Sequence, residues 1–110
     1  MISQAIDVRG SEPMARGKAS ALADLLRTLG DPTRLRILTA LDGVCVPVTA
    51  IVEATGVRQP TVSHHLRILR DGGLVVGERR GGYVYYCLAT EGLRGALDVL
   101  QGLAGGQAVK

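Results

Sequence analysis

The sequence has no Phe, no Trp and only three Tyr. An interior without large aromatics must be filled by Leu, Val, Ile and Ala, which suits helices packed through aliphatic stripes. Cysteine is equally sparse: Cys45 and Cys87 stand 42 positions apart. With no CxxC pair and no dense cysteine framework, neither a zinc ribbon nor a disulfide-stapled secreted domain is indicated. No apolar run is long enough to span a membrane. The N-terminus also lacks the basic-then-apolar order of a signal peptide, so the expectation is a cytoplasmic protein with no membrane partner. Gly-rich phosphate loops, HExxH, GxSxG and paired carboxylates are all missing, which points away from an enzyme.

What is present fits one small domain. The chain has 110 residues, 46% of them hydrophobic and 21% charged, with a formal net charge of +3. A domain of this size buries roughly two-thirds of its unfolded surface, so a large apolar face left over calls for a partner. The charge is unevenly placed. Between Arg58 and Arg80 stand five arginines (Arg58, Arg67, Arg70, Arg79, Arg80) and two acids (Asp71, Glu78). The rest of the chain balances, so the whole excess lies in that window, as contact with a polyanion requires.

Residues 1–15 mix Gly, Ser, Pro and charges without periodicity and read as a flexible N-terminal arm. The spacing of Leu22, Leu25, Leu26 and Leu29 predicts a helix over 19–29 that ends at Gly30. Asp31-Pro32 opens a second helix: a capping carboxylate precedes a Pro suited to the first helical position. Leu35, Leu38 and Leu41 are its expected core residues. Val44 to Pro47 reads as short and extended. Val48, Ile51, Val52 and Thr55 mark a third, brief helix before Gly56, which can turn the chain sharply. A fourth helix spans about 59–71 and is stopped by Gly72-Gly73. Residues 74–80 and 83–89 are β-rich and flank Gly81-Gly82, a two-residue hairpin signal. A last helix runs over 91–104, and residues 105–110 form a flexible tail. The domain therefore spans 16–104. The expected fold is mainly α with a two-stranded β-hairpin wing, in the order α-α-α-α-β-β-α: a winged helix-turn-helix.

On the fourth helix, at about 100° per residue, Val62, Leu66 and Leu69 fall on one stripe. Ser63, His64 and Arg67 lie on or toward the other side. Gln59 and Thr61 begin the helix, where a recognition helix reaches base edges, and Arg58 adds a cation just before it. Gln pairs bidentately with adenine, Arg with guanine or phosphate, and Thr and Ser with phosphate or a thymine methyl. Arg79, Arg80 and Tyr83 at the hairpin tip suit a phosphate backbone or a minor groove. An alternative for the two arginines is protection of an exposed strand edge by charge. His65 lies near the apolar stripe and reads as a hydrogen-bonded structural histidine.

Four collinear words, Leu29-Gly30-Asp31-Pro32-Thr33-Arg34-Leu35-Arg36-Ile37-Leu38, Gln59-Pro60-Thr61-Val62-Ser63-His64-His65-Leu66, Leu69-Arg70-Asp71-Gly72-Gly73-Leu74-Val75 and Gly82-Tyr83-Val84-Tyr85-Tyr86, resemble the ArsR/SmtB family of winged-helix regulators. The resemblance covers about residues 20 to 104. It implies a homodimer joined by the first and last helices, whose two recognition helices enter successive major grooves of a palindromic operator in double-stranded DNA. The aliphatic stripes agree with this: Leu22, Leu25, Leu26, Leu29, Leu93, Leu97 and Leu100 are more than so small a core needs, and a two-fold dimer would bury them.

The resemblance also implies repression relieved by an inducer, often a metal ion. The family's thiolate positions in the third helix match Pro47, Thr49 and Ala50 here. Its last-helix ligand positions match Thr90, Gly92, Leu103 and Gly106. Both ligand sets are thus missing and the metal ligands are unknown, although a nitrogen/oxygen site would favour nickel or zinc. The alternative is a regulator without a metal site of its own, controlled by thiol redox chemistry at Cys45 and Cys87 or by a partner protein. The simplest reading of the two cysteines is as small apolar residues in packed positions.

Overall fold

The computed structural model describes residues 6–105. The first five residues of the expected arm and all of the expected tail except Gly105 lie outside them. Residues 6–15 are exposed and form neither helix nor strand. Eight elements follow: α1 (Arg16–Leu29), α2 (Pro32–Ala40), β1 (Val46–Pro47), α3 (Val48–Thr55), α4 (Gln59–Asp71), β2 (Val75–Arg80), β3 (Tyr83–Leu88) and α5 (Glu91–Ala104). Helix α1 starts three residues before the expected Ala19. Arg16, Lys18 and Ala19 are good helix formers, and a single Gly17 among them is tolerated.

Helix α2 begins as its sequence demands. The Asp31 carboxylate accepts the Arg34 backbone N–H at 3.0 Å, and Pro32 occupies the first turn. Its core residues differ from expectation. Ile37, Leu38 and Leu41 are buried, whereas Leu35 is 37% exposed. Helix α2 packs against α1, α3 and α4 at once, so Ile37 rather than Leu35 faces the shared interior. Leu35 looks into a groove described below.

The turn between α3 and α4 rests on two residues. Gly56 adopts φ 72°, a left-handed conformation that costs an L side chain strain, and donates its N–H to the Val52 carbonyl at 2.8 Å. The buried Thr55 hydroxyl donates to the Ile51 carbonyl at 2.7 Å and accepts the Val57 N–H at 3.2 Å, so the turn leaves neither group unpaired. Helix α4 then buries Val62, Leu66 and Leu69, the stripe expected for it. Together with Ile37, Leu38, Leu41, Ile51 and Val75 they fill the centre. Fully burying one such side chain contributes about 1.5–3 kcal/mol.

The expected β-hairpin wing forms, and a short third strand extends it into a three-stranded sheet. Strands β2 and β3 pair from Val75↔Leu88 to Arg80↔Tyr83, turning at Gly81 with φ 61°. Strand β1 adds to the free side of β3 through Val46↔Tyr86 and Pro47↔Tyr85, giving the order β1-β3-β2. A proline is tolerated there because β1 is an edge strand. Directly opposed residues share a face, and faces alternate along a strand. Val46, Tyr86, Leu88 and Val75 therefore point to the helical core, and Glu78, Arg80, Tyr83 and Tyr85 point away from it.

Continuing the β1–β3 register by one residue sets Cys45 opposite Cys87. Their Cα atoms are 4.4 Å apart and the sulfurs form a disulfide. Cys45 is exposed and Cys87 only half-buried, so they are not the packed apolar residues expected. Their proximity follows from the β1 pairing, which brings together two positions far apart in the chain.

Candidate nucleic-acid interface

Helix α4 is sealed on one side and open on the other. Val62, Leu66 and Leu69 lock it into the core, while Arg58, Gln59, Thr61, Ser63, His64 and Arg67 are all exposed. Arg58 precedes the helix in extended backbone and supplies no side-chain cap. A guanidinium has only donors and cannot cap the first-turn N–H groups. The first-turn N–H groups keep their partial positive charge, which favours a phosphate nearby. Gly72 and Gly73 turn the chain within a few residues into β2, and Leu74 donates to the Leu69 carbonyl at 2.9 Å. The wing thus starts where α4 ends.

At the wing tip Arg79, Arg80 and Tyr83 are exposed, Tyr83 at 67%. The two arginines are not equivalent. Arg80 binds Glu78 at 2.8 Å, and its guanidinium lies 5.9 Å from the Tyr85 ring centre. Arg79 is on the opposite face, the face of Val75 that packs against α4, and forms no ion pair among the described residues. Tyr85 and Tyr86 are half-buried, and Tyr86 packs on the core. Between α4 and the sheet, Ser63, Leu66, Arg67, Arg70 and Tyr86 line a cleft of about 210 Å³. Arg70, part of the same charge window, stands three residues after Arg67 on the same side of the helix, so the cleft carries two exposed arginines.

A polar joint supports the helix from below. Arg34 donates from Nε to the Thr28 carbonyl at 2.6 Å, and its Nη1 lies 3.4 Å from His65 Nδ1. His65 Nε2 lies 4.0 Å from the Asp31 carboxylate. This is the hydrogen-bonded structural role expected for His65. The hydrogen bond from the Arg34 backbone N–H holds the Asp31 carboxyl below the usual range. Partial burial opposes this shift, and the charges of His65 and Arg34 add to it.

The leucines assigned to the dimer face divide into two groups. Leu29 and Leu97 belong to the protomer's own core, and Leu25 and Leu93 pack against it. Leu22, Leu26 and Leu100 are 40–48% exposed. Between α1, α2 and α5 runs an apolar groove of about 450 Å³, lined by Leu26, Leu29, Leu35, Leu97, Leu100 and Ala104. No group of three or more His, Cys, Asp or Glu side chains converges among the described residues. The described residues of one protomer alone therefore present no such ligand cluster. Among the described residues no helix is long and apolar enough to cross a membrane.

Comparison with known proteins agrees with this geometry. A helix-turn-helix domain family matches residues 29–78, from the end of α1 into the wing. The transcriptional regulator NmtR of Mycobacterium tuberculosis is 43% identical over 90 residues, which is 82% of this chain and 75% of that protein. CmtR of Mycobacterium bovis, also a transcriptional regulator, is 49% identical over 84 residues, covering 76% and 70%. A homodimeric winged helix-turn-helix DNA-binding domain from Mycobacterium bovis, described as a possible ArsR-family regulator, superposes with a TM-score of 0.76 at 30% identity. That match covers 91% of this chain and 94% of the other. By these identities and this superposition the chain belongs to the ArsR/SmtB family of winged helix-turn-helix, DNA-binding transcriptional regulators.

Proposed function

We propose that this regulator is a repressor acting as a homodimer, with its two α4 helices in successive major grooves of a palindromic operator and its wings on the flanking backbone. The observation that carries this reading is the division of α4. Val62, Leu66 and Leu69 are locked inside, and the polar Gln59, Thr61, Ser63, His64 and Arg67 are left exposed. Gln59 and Thr61 read bases, Arg67 and Arg79 hold phosphates, and Ser63, His64, Arg58, Arg80 and Tyr83 complete the contact. The half-exposed Leu22, Leu26 and Leu100 and the groove beside them support a two-fold partner, as does the homodimeric neighbour. Half-sites then lie on the order of 34 Å apart.

The test is a binding titration on duplex DNA from upstream of the protein's own reading frame, with oligomeric state followed by sedimentation. Tight, salt-dependent binding of one dimer per palindrome is expected. A monomer that binds this duplex no better than a scrambled one would refute the reading. The inducer is a separate question. A divalent metal such as nickel or zinc is the family expectation. Since the described residues of one protomer bring no three His, Cys, Asp or Glu side chains together, such a site would draw on donors from a second protomer or from outside the described residues. Calorimetric titration with nickel and zinc chlorides decides it: stoichiometric heat that disappears on monomerisation supports a metal, and none refutes it.

A further inference from the structure

We infer that Cys45 and Cys87 form a reversible thiol–disulfide pair whose state sets how firmly the wing is held for operator binding. The inference rests on the operator-binding reading above and adds a control site to it. The two residues continue the β1–β3 register, with Cα atoms 4.4 Å apart. That spacing belongs both to a directly opposed strand pair and to a disulfide, so the bond can open and close without moving the backbone. The pair is also accessible. Cys45 is exposed, Cys87 is half-buried, and both line a cleft of about 350 Å³ with Glu91 and Arg94. A protein that acts on DNA works in the reducing interior of the cell. Persistent structural disulfides are rare there, and accessible ones are typically transient or redox-sensing.

The location gives the pair leverage. Strand β1 contributes only two residue pairs to the sheet, and the disulfide adds a covalent third. Strand β3 is the inner strand of the wing, and three residues after Cys87 comes Thr90, the N-cap of α5. The Asp42–Arg94 ion pair at 2.6 Å spans the same junction. Closing the bond therefore ties the loop after α2, the root of the wing and the start of α5 together, which pre-organises the wing for DNA. The chemistry needs a low-molecular-weight disulfide as oxidant. One cysteine thiolate attacks it and expels one small thiol, leaving a mixed disulfide. The second cysteine thiolate then displaces the other small thiol. The two cysteines lose two electrons and two protons, and the small disulfide becomes two thiols.

The experiment equilibrates the full chain with dithiothreitol or with oxidised glutathione. Thiols are counted by mass spectrometry after alkylation, and operator affinity is read by fluorescence anisotropy. We expect the pair to close in oxidised glutathione and reopen in dithiothreitol, with the closed form binding about fivefold more tightly or better. Cys45→Ser and Cys87→Ser should each bind with the reduced form's affinity in both buffers. Equal affinity of the open and closed forms overturns the inference, as does a pair that stays open in oxidised glutathione. A redox response that survives either substitution does so too. A pair that cycles normally in a protein that ignores the operator in both states defeats the operator-binding reading instead, and the inference with it.

Discussion

Replacing Arg79 by Ala isolates the wing's contribution to DNA binding. Arg79 is exposed, has no ionic partner among the described residues and lies on the α4 side of β2. Its charge is free for one phosphate. Each phosphate neutralised contributes about 0.9 to the slope of log affinity against log salt. Losing one contact should therefore flatten the slope by about 0.9. Between 50 and 200 mM salt, that slope change alters the affinity ratio by about 3.5-fold. Arg80→Ala should flatten the slope by less than half as much, because Glu78 already neutralises Arg80 at 2.8 Å. Glu78→Gln should steepen it by releasing Arg80. The assay is anisotropy on the operator duplex at five or more salt concentrations, with a scrambled duplex alongside. The Arg79 loss should be the same on both duplexes, since phosphate contacts carry no sequence information. An unchanged slope for Arg79→Ala would place the wing off the DNA and refute the reasoning.

Three further outcomes are expected. Gln59→Ala and Thr61→Ala should lower preference for the operator over scrambled DNA by about 1–3 kcal/mol per lost base contact, read by competition binding; uniform weakening would make them backbone contacts. Leu69→Ala, at a position with no solvent exposure, should cost about 2–5 kcal/mol in urea unfolding, and a loss under 1 kcal/mol would mean that the core beside α4 collapses to fill the space. The lowered pKa of Asp31 means that its carboxylate stabilises the fold above the ordinary Asp value, 3.8. That contribution is lost as pH falls through the lower folded-state value. Asp31→Asn should therefore flatten the acid limb of a stability–pH curve, and an unchanged limb would refute the assignment.

Much of the fold was legible because α4 states its own geometry. Val62, Leu66 and Leu69 recur at helical spacing between a proline start and a double-glycine stop, so its bounds and its buried side were both readable. Strand β1 was not. It is two residues long, contains Pro47, and gains its identity only by pairing with β3. With that pairing unseen, the meeting of Cys45 and Cys87 was unseen too. Helix α2 misled for another reason. It is surrounded on several sides, so Leu35 and Ile37 fit the apolar pattern equally well, and only packing separates them. The dimer leucines show a general limit. Periodicity marks an apolar stripe, but it does not say whether the stripe meets the protomer's own core, as Leu29 and Leu97 do, or a second protomer.

Arg34 has a consequence for how signals travel. One planar fork touches the last turn of α1 through Thr28 and the underside of α4 through His65. In the proposed dimer, where α1 would lie at the seam, a tilt of α1 would reach α4 through a single side chain, without crossing the aliphatic centre. Lysine would keep the charge but has one donor group where the guanidinium has two separated edges. Arg34→Lys should therefore leave the resting operator affinity nearly intact and uncouple it from whatever perturbs the seam.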